Sequence, residues 1–468
     1  AIAGVIGTST AWFVVRYRFI GSIWLQWALL MPLAIPGYVG AYALVDLLEY
    51  AGPVQSTLRG IFGWSSARDY WFPEIRSFGA AVFVLSLSLY PYVYLLTRAA
   101  FRDQTSSVEE VARSLGALSS KRFFKINLPL ARPAIAAGVA IVMMETVNDF
   151  GTVDYFAVQT LTTGIFSVWL QSSNVGGAAQ LSCVVLTMVI LLVSLEKLSR
   201  RKMQFFNMSS KQNAVQKIRL RCLSNILAFL CCLAPVLFGF ALPLIILLEH
   251  SMSNPHLFMD KGLIDATFNT VFIGTVAAIV TVILGIFMVF GMKSVKGRVP
   301  KFIMPVTTIG YAVPGAVLGV GILIPLAILD NALADAIFYL TQIDVGLIFT
   351  GTSFAIILAY IVRFFAIGQG ATEAALGRIS PNLEHAARSL GKNRASILKR
   401  IYLPIIKGSL GSAMLLIFVD CVKELPATLL LRPFNFNTLS TRVHEQASLE
   451  DLVNAAPAAI YISLVGLC

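Results

Sequence analysis

The sequence is short of charge. Only 13% of its 468 residues are Asp, Glu, Lys or Arg, about half the share of a soluble domain. Hydrophobic residues make up 57% and the mean hydropathy is +0.78, so apolar surface runs along the whole chain and lipid contact on most faces is implied. Backbone groups must then be satisfied inside helices, because lipid offers them no partners. Histidine is scarce too: the four are scattered, and His444-Glu445 is not followed by the second His of a zinc protease. The six cysteines, Cys183, Cys222, Cys231, Cys232, Cys421 and Cys468, lie mostly in apolar runs without metal-ligand spacing. They read as small buried residues rather than a disulfide framework. A phosphate-cradling G-x4-G-K-[ST] is missing; Gly391-Lys392 is followed by Asn393 and lacks the upstream Gly. The chain therefore does not hydrolyse ATP by itself. No convergent catalytic set stands out, which argues against a membrane-embedded enzyme. The chain begins Ala1-Ile2-Ala3 inside one apolar run and ends at Cys468 inside another, so both ends read as cut and no intact signal peptide is available to interpret.

What is present is a series of apolar stretches near membrane-spanning length. They lie near 1–15, 21–47, 77–97, 133–148, 178–195, 223–248, 268–291, 302–329, 345–367, 409–430 and 455–468, the first and last truncated. Lys and Arg alternate between the connections. The odd-numbered ones carry 28 and the even-numbered ones six. Positive residues are retained on the cytoplasmic side, so the odd connections are cytoplasmic. The net charge of +12 is thus a topology device and not a nucleic-acid surface.

Two of these cytoplasmic connections repeat each other. VEEVARSLGALSSKRFFKINLPLARPAI begins at Val108 and NLEHAARSLGKNRASILKRIYLPIIKGSL begins at Asn382. A shift of 275 places Glu109, Ala112, Gly116, Ile126, Leu128 and Pro129 on Glu384, Ala387, Gly391, Ile401, Leu403 and Pro404. Pro36-Gly37 and Pro314-Gly315 match at nearly that shift. Six spans separate the two loops, so both lie on one face and the repeats are parallel. The expected organisation is a first repeat over 1–196 with its loop at 106–132, a basic linker over 197–221, and a second repeat over 222–468 with its loop at 380–407. The linker reads as solvated; attraction to anionic lipid is the alternative. Within the first loop, Val108, Val111, Ala112 and Leu115 make an apolar stripe at helical spacing, with Glu109 and Glu110 facing elsewhere. Gly116 suits a left-handed helix end, Ser119 a new cap, and Pro129 the end of the second helix. A helix–Gly–helix with an apolar stripe suits docking into a partner's groove.

The G-x9-I-x-L-P pattern after an E-A-A-like stretch resembles the cytoplasmic loop of ABC-importer permeases. In that family the loop is the coupling helix that docks into the ATPase subunit. The first copy has Val111 where the first Ala is usual, and the second has His385 where the acid is usual. The stretches LAIPGYVGAYAL (33–44), SLYPYVYLLTRAAF (88–101), LPLARPAIAAG (128–138), NDFGTVDYF (148–156) and VKELPATLLLRPFNFNTLSTRV (422–443) look like the fused ferric-iron importer permeases. The resemblance implies an all-α polytopic fold of two parallel repeats, each of about six membrane helices, in the bacterial inner membrane. It also implies a homodimeric cytosolic ABC ATPase carrying ATP-Mg, a periplasmic iron-binding protein as donor, and no cofactor on this chain. Thiamine, phosphonate and polyamine are the alternative substrates. An ion-driven secondary transporter, which would not need two repeated docking loops, is the rival class.

Acids near spans are costly and therefore informative. Glu145 and Asp149 fall on Asp420 and Glu424 under the same shift. Each pair is i, i+4, which predicts one shared helix face and an acidic lining for a cationic path. Alternatively Lys423 or Arg432 neutralises the second pair. Tyr90, Tyr92 and Tyr94 could offer phenol oxygens to a hard cation, but a membrane-interface aromatic belt is the commoner cause.

Overall fold

The computed structural model describes residues 1–104, 114, 116, 118–201, 217–294 and 299–467. It is almost wholly helical. Among the described residues, eight helices are long and apolar enough to cross a membrane: Phe78–Asp103, Phe123–Asn148, Val175–Ser194, Leu223–Ser253, Lys261–Lys293, Gly315–Thr341, Ser353–Gly377 and Arg394–Lys423. Shorter apolar helices cover Ile2–Arg16, Phe302–Ala312 and Leu452–Gly466.

Two expected spans are broken. The stretch 21–47 becomes Ser22–Ala34 and Gly37–Phe62, bent by 92°. The stretch 302–329 becomes Phe302–Ala312 and Gly315–Thr341. Both breaks sit on the matching Pro-Gly. Pro36 (ψ 145°) and Pro314 (ψ 142°) are extended, and so are Ile35 (ψ 117°) and Val313 (ψ 129°) before them. A proline cannot donate to the turn behind it, and it pushes the preceding residue out of the helical region. Two extended residues in a row end one helix and re-aim the next.

At other prolines the helix persists, against the expectation that Pro129 ends one. The chain is helical from Ser119 to Asn148, with a wide π turn at Phe123–Asn127 just before Leu128-Pro129. The second repeat does the same at Leu398–Tyr402 before Leu403-Pro404, and a third instance is Leu237–Ala241 before Leu242-Pro243. In a regular helix the proline ring meets the carbonyl four residues back. Widening the preceding turn removes that clash without ending the helix.

The chain forms two compact units. One is Ala1–Gly164, Thr187–Leu257 and Val443–Cys468; the other is Ile165–Leu186 and Phe258–Arg442. In the first, Leu25, Leu29, Tyr90, Tyr94 and Phe101 are buried together. Gly7 and Gly138 there let neighbouring backbones close on Val93: a Cβ at Gly138 would stand 2.7 Å from the Val93 Cα. Small residues at such crossings are the usual device of membrane helices, which lack a hydrophobic drive to associate. In the second unit, Ile273, Ala277, Ile356, Ala359, Tyr360 and Ile417 form the corresponding core.

One loop in the second unit is held by a buried carboxylate. Asp330, fully buried within Gly315–Thr341, accepts backbone N–H bonds from Ile348 (2.9 Å), Phe349 (2.9 Å) and Thr350 (2.7 Å). Removing such an acceptor strands several donors and costs about 1–3 kcal/mol for each group left buried and unpaired. Asp330→Ala is therefore expected to lower the thermal unfolding midpoint of the purified protein in detergent by several degrees, and Asp330→Asn by less. An unchanged midpoint in Asp330→Ala would show that the clamp contributes nothing.

Candidate functional site

The second repeated loop can be followed residue by residue. Ser380 caps Pro381–Ser389 by accepting from the Asn382 N–H (3.3 Å). That helix ends at Gly391, which has φ +74°; the Lys392 N–H reaches back to the Ala387 carbonyl (3.0 Å). This left-handed ending suits glycine and would strain any branched side chain. Asn393 then starts the next turn, its side chain accepting from the Ser396 N–H (2.8 Å). In the first loop Glu109, Glu110 and Ala112 lie outside the described residues, but Gly116 has φ +75°. Both glycines take the same conformation at the same repeat position.

The expected apolar stripe divides in the second loop. Ala387 is buried with Val289, Leu376, Ile397, Tyr402 and Ile406, while Leu383 and Leu390 are exposed. Beside them lies a cleft of 240 Å³ lined by Ala375, Arg378, Ile379, Leu383 and Ile405, among others. Ile401 and Leu403 are half-buried and Pro404 is exposed; in the first loop Ile126, Leu128 and Pro129 are half-buried. Glu384 is tied to its own unit. It accepts from the Tyr402 hydroxyl (2.6 Å) and Arg388 (2.5 Å), with Lys293 at 3.7 Å. The Tyr402 hydroxyl, then the Arg388 and Lys293 charges, hold its carboxyl below the ordinary range. The loop helix is thus fastened through Glu384 and leaves Leu383 and the following Leu390 bare. Tyr402 and Lys293 were not legible as its partners, since nothing in their spacing points to Glu384.

The acid pairs do not share helix faces as the spacing suggested. Phe123–Asn148 ends one residue before Asp149, and Arg394–Lys423 one residue before Glu424. Asp149 (ψ 136°) and Glu424 (ψ 118°) are both extended. A side-chain oxygen next to free backbone donors favours starting a new helix over continuing the old one. Accordingly the Asp149 carboxylate accepts from the Thr152 hydroxyl (2.9 Å) and the Val153 N–H (3.1 Å), at the start of Gly151–Tyr155. The Glu424 carboxylate accepts from the Ala427 N–H (3.1 Å), at the start of Pro426–Leu431. The carbonyls of the same two acids are held alike: Thr162 donates to Asp149 (2.9 Å) and Ser440 to Glu424 (2.7 Å). Glu145 and Asp420 are half-buried on the helices that lead into these turns.

Each acid turn also lies against the Pro-Gly break of its own unit. A Cβ at Gly37 would stand 2.9 Å from Thr152 Oγ1 and 3.9 Å from Asp149 Oδ1. At Gly315 it would stand 2.3 Å from Glu424 Oε1 and 2.8 Å from Arg363 Nη1. The second unit adds a cation for which the described residues of the first show no counterpart. Arg363 pairs with Glu424 at 3.4 Å, with both side chains at most 10% exposed. The sequence offered Lys423 or Arg432 as partners for the second pair: Lys423 stands in electrostatic reach of Asp420, while Glu424 takes Arg363 and Arg432 bonds Asn437. Arg363 sits in the apolar run AYIVRFFAIG. A lone cation inside a span is itself a signal that a buried anion is near, and it could have been found from sequence.

Two repeated loops and two repeated broken helices in a helical membrane chain define a transport permease, and comparison with known proteins agrees. The model of the binding-protein-dependent transport system inner membrane component family matches residues 3–205 and 281–468, and the chain belongs to that family. It is a multi-pass inner-membrane permease subunit of an ABC importer and not an enzyme; the ATPase is a separate subunit. The Fe(3+)-transport system permease protein FbpB 2 of Haemophilus influenzae is 26% identical over 98% of this chain and 84% of its own length. The ferric transport system permease protein FbpB of Actinobacillus pleuropneumoniae is 25% identical over 89% of this chain and 60% of its own length. The sulfate transport system permease protein CysT of Salmonella typhimurium is 28% identical over 41% of this chain and 67% of its own length.

Proposed function

We propose that this permease moves ferric iron, handed over by a periplasmic iron-binding protein, into the cytoplasm. A homodimeric cytosolic ATPase carrying ATP-Mg drives the step by engaging the loops around Gly116 and Gly391. The supporting observation is the likeness to a ferric permease along 98% of the chain, against 41% for a sulfate permease. Repeated carboxylates beside the breaks fit that cargo: Fe(III) prefers hard oxygen ligands, whereas an oxyanion path would be repelled by them. ATP binding would draw the ATPase subunits together, and the two loops would carry that motion into the spans. Thiamine, phosphonate or a polyamine would use the same coupling with a different path lining.

In this reading Glu145, Asp149, Asp420 and Glu424 supply an acidic lining. Asp149 and Glu424 hold helix starts, and Glu145 and Asp420 sit half-buried on the helices that lead into them. Glu145→Gln combined with Asp420→Asn is expected to reduce radio-iron uptake roughly tenfold or more at unchanged protein level, by loss of two charge contacts of about 1 kcal/mol each. Binding-protein docking should be unaffected. Normal uptake by that double variant would remove the acidic path while leaving the coupling loops in place.

A further inference from the structure

The basic linker and the first basic connection meet on one surface of the first unit. Tyr17–Arg18 pairs with Ile218–Arg219 as a short parallel ladder, with Arg18 opposite Arg219. The Leu220 N–H donates to the Arg18 carbonyl (3.2 Å), and the Ile20 N–H to the Asn225 side chain (2.9 Å). Like charges directly opposite in a ladder repel. Arg18, Lys217 and Arg219 are nevertheless all exposed there, and none has a carboxylate partner among the described residues. Partial loss of hydration beside the ladder, and then the Arg98 and Arg18 guanidiniums nearby, push the Lys217 ammonium below its ordinary range although the residue remains exposed. An unneutralised cluster held in register by backbone bonds is a site for an anion.

The rim identifies which anion. Gly21, at φ +76°, turns the chain into Ser22–Ala28; a Cβ there would meet Trp24 Nε1 at 2.8 Å. This turn sets Trp24 and Trp27 outward at 50% and 62% exposure, next to exposed Ile20 and Ile23. Arg98 stands 5.5 Å over the Trp27 ring and donates to the Gln26 side chain (3.0 Å). Indole rings beside a cation cluster mark headgroup depth. Exposed isoleucines beside them suit an acyl chain, for which free phosphate has no counterpart. Both connections fall on the side that the basic-residue count assigns to the cytoplasm, where the leaflet carries anionic lipid.

We propose that Arg18, Lys217 and Arg219, rimmed by Trp24 and Trp27, bind the phosphate headgroup of an anionic phospholipid of the inner leaflet. The lipid bridges the end of the linker to the first repeat and offsets the repulsion across the ladder. The test uses the full chain in phosphatidylcholine vesicles doped with brominated phosphatidylglycerol, or with brominated phosphatidylcholine as control, and reads tryptophan quenching. The wild type should favour phosphatidylglycerol by roughly tenfold. R18Q/R219Q should bring the ratio close to one, R18K/R219K should retain it, and W24F/W27F should remove the lipid-dependent component. Equal quenching by the two lipids, or a preference surviving in R18Q/R219Q, would overturn the site. If R18Q/R219Q does not fold, a phosphatidylglycerol-dependent component persisting in W24F/W27F overturns it instead. Abolition of the preference by millimolar inorganic phosphate would assign the cluster to free phosphate and overturn the lipid.

Discussion

Arg363→Ala is expected to destabilise the second unit by about 3–5 kcal/mol, because it leaves the Glu424 carboxylate buried without its counter-charge. Glu424 is 5% exposed and cannot turn to water. Its remaining bond, from the Ala427 N–H, holds the start of Pro426–Leu431 and does not neutralise it. The loss should reach transport as well, since Glu424 and Arg363 both press on Gly315 at the helix break. Arg363→Met combined with Glu424→Gln removes both charges and should recover most of the stability, as replacing a whole buried pair often does. Thermal unfolding of the two variants in detergent checks this. If Arg363→Ala melts with the wild type, the pair is not a structural lock. If the double variant is as unstable as the single, the cost comes from lost packing rather than stranded charge.

The second large effect concerns the loops. Gly116→Val with Gly391→Val is expected to abolish ATP-coupled uptake while the spans remain folded. Both glycines have φ above +70°, a region a β-branched residue reaches only with strain. Among the described residues, neither has an atom within 4 Å of where a Cβ would stand, so the defect would come from backbone conformation. The helix Pro381–Ser389, which carries Leu383, would be re-aimed relative to the turn that starts at Asn393. Uptake and co-purification of the ATPase, measured together, separate the outcomes. Unchanged values for both would show that the loops do not couple.

Much of the fold was legible because membrane helices announce themselves by length. The repeat was legible because nine residues of the loop recur at one shift. Gly116 was read as suited to a left-handed conformation from its residue type, and it and Gly391 both have φ above +70°. The breaks were harder. Pro36-Gly37 and Pro314-Gly315 were noticed as a repeat, yet hydropathy runs straight through them and hides a 92° bend. Pro129 was misread for the opposite reason: a π turn absorbs the clash, and no side-chain pattern advertises a π turn. The acid pairs failed on periodicity. An i, i+4 spacing means a shared face only while the helix lasts, and Asp149 and Glu424 each begin something new. Partnerships such as Arg363 with Glu424 or Tyr402 with Glu384 join residues 61 and 18 positions apart, which no local rule relates.

An ATPase, and not an ion gradient, is expected to drive a cation through this chain. This is tested most directly by radio-iron uptake into proteoliposomes that hold the permease with its ATPase, supplied with loaded binding protein outside and ATP inside. Uptake should require ATP and the binding protein, be lost with Gly116→Val/Gly391→Val, and be indifferent to a proton or sodium gradient. Uptake sustained by a gradient without ATP would contradict it.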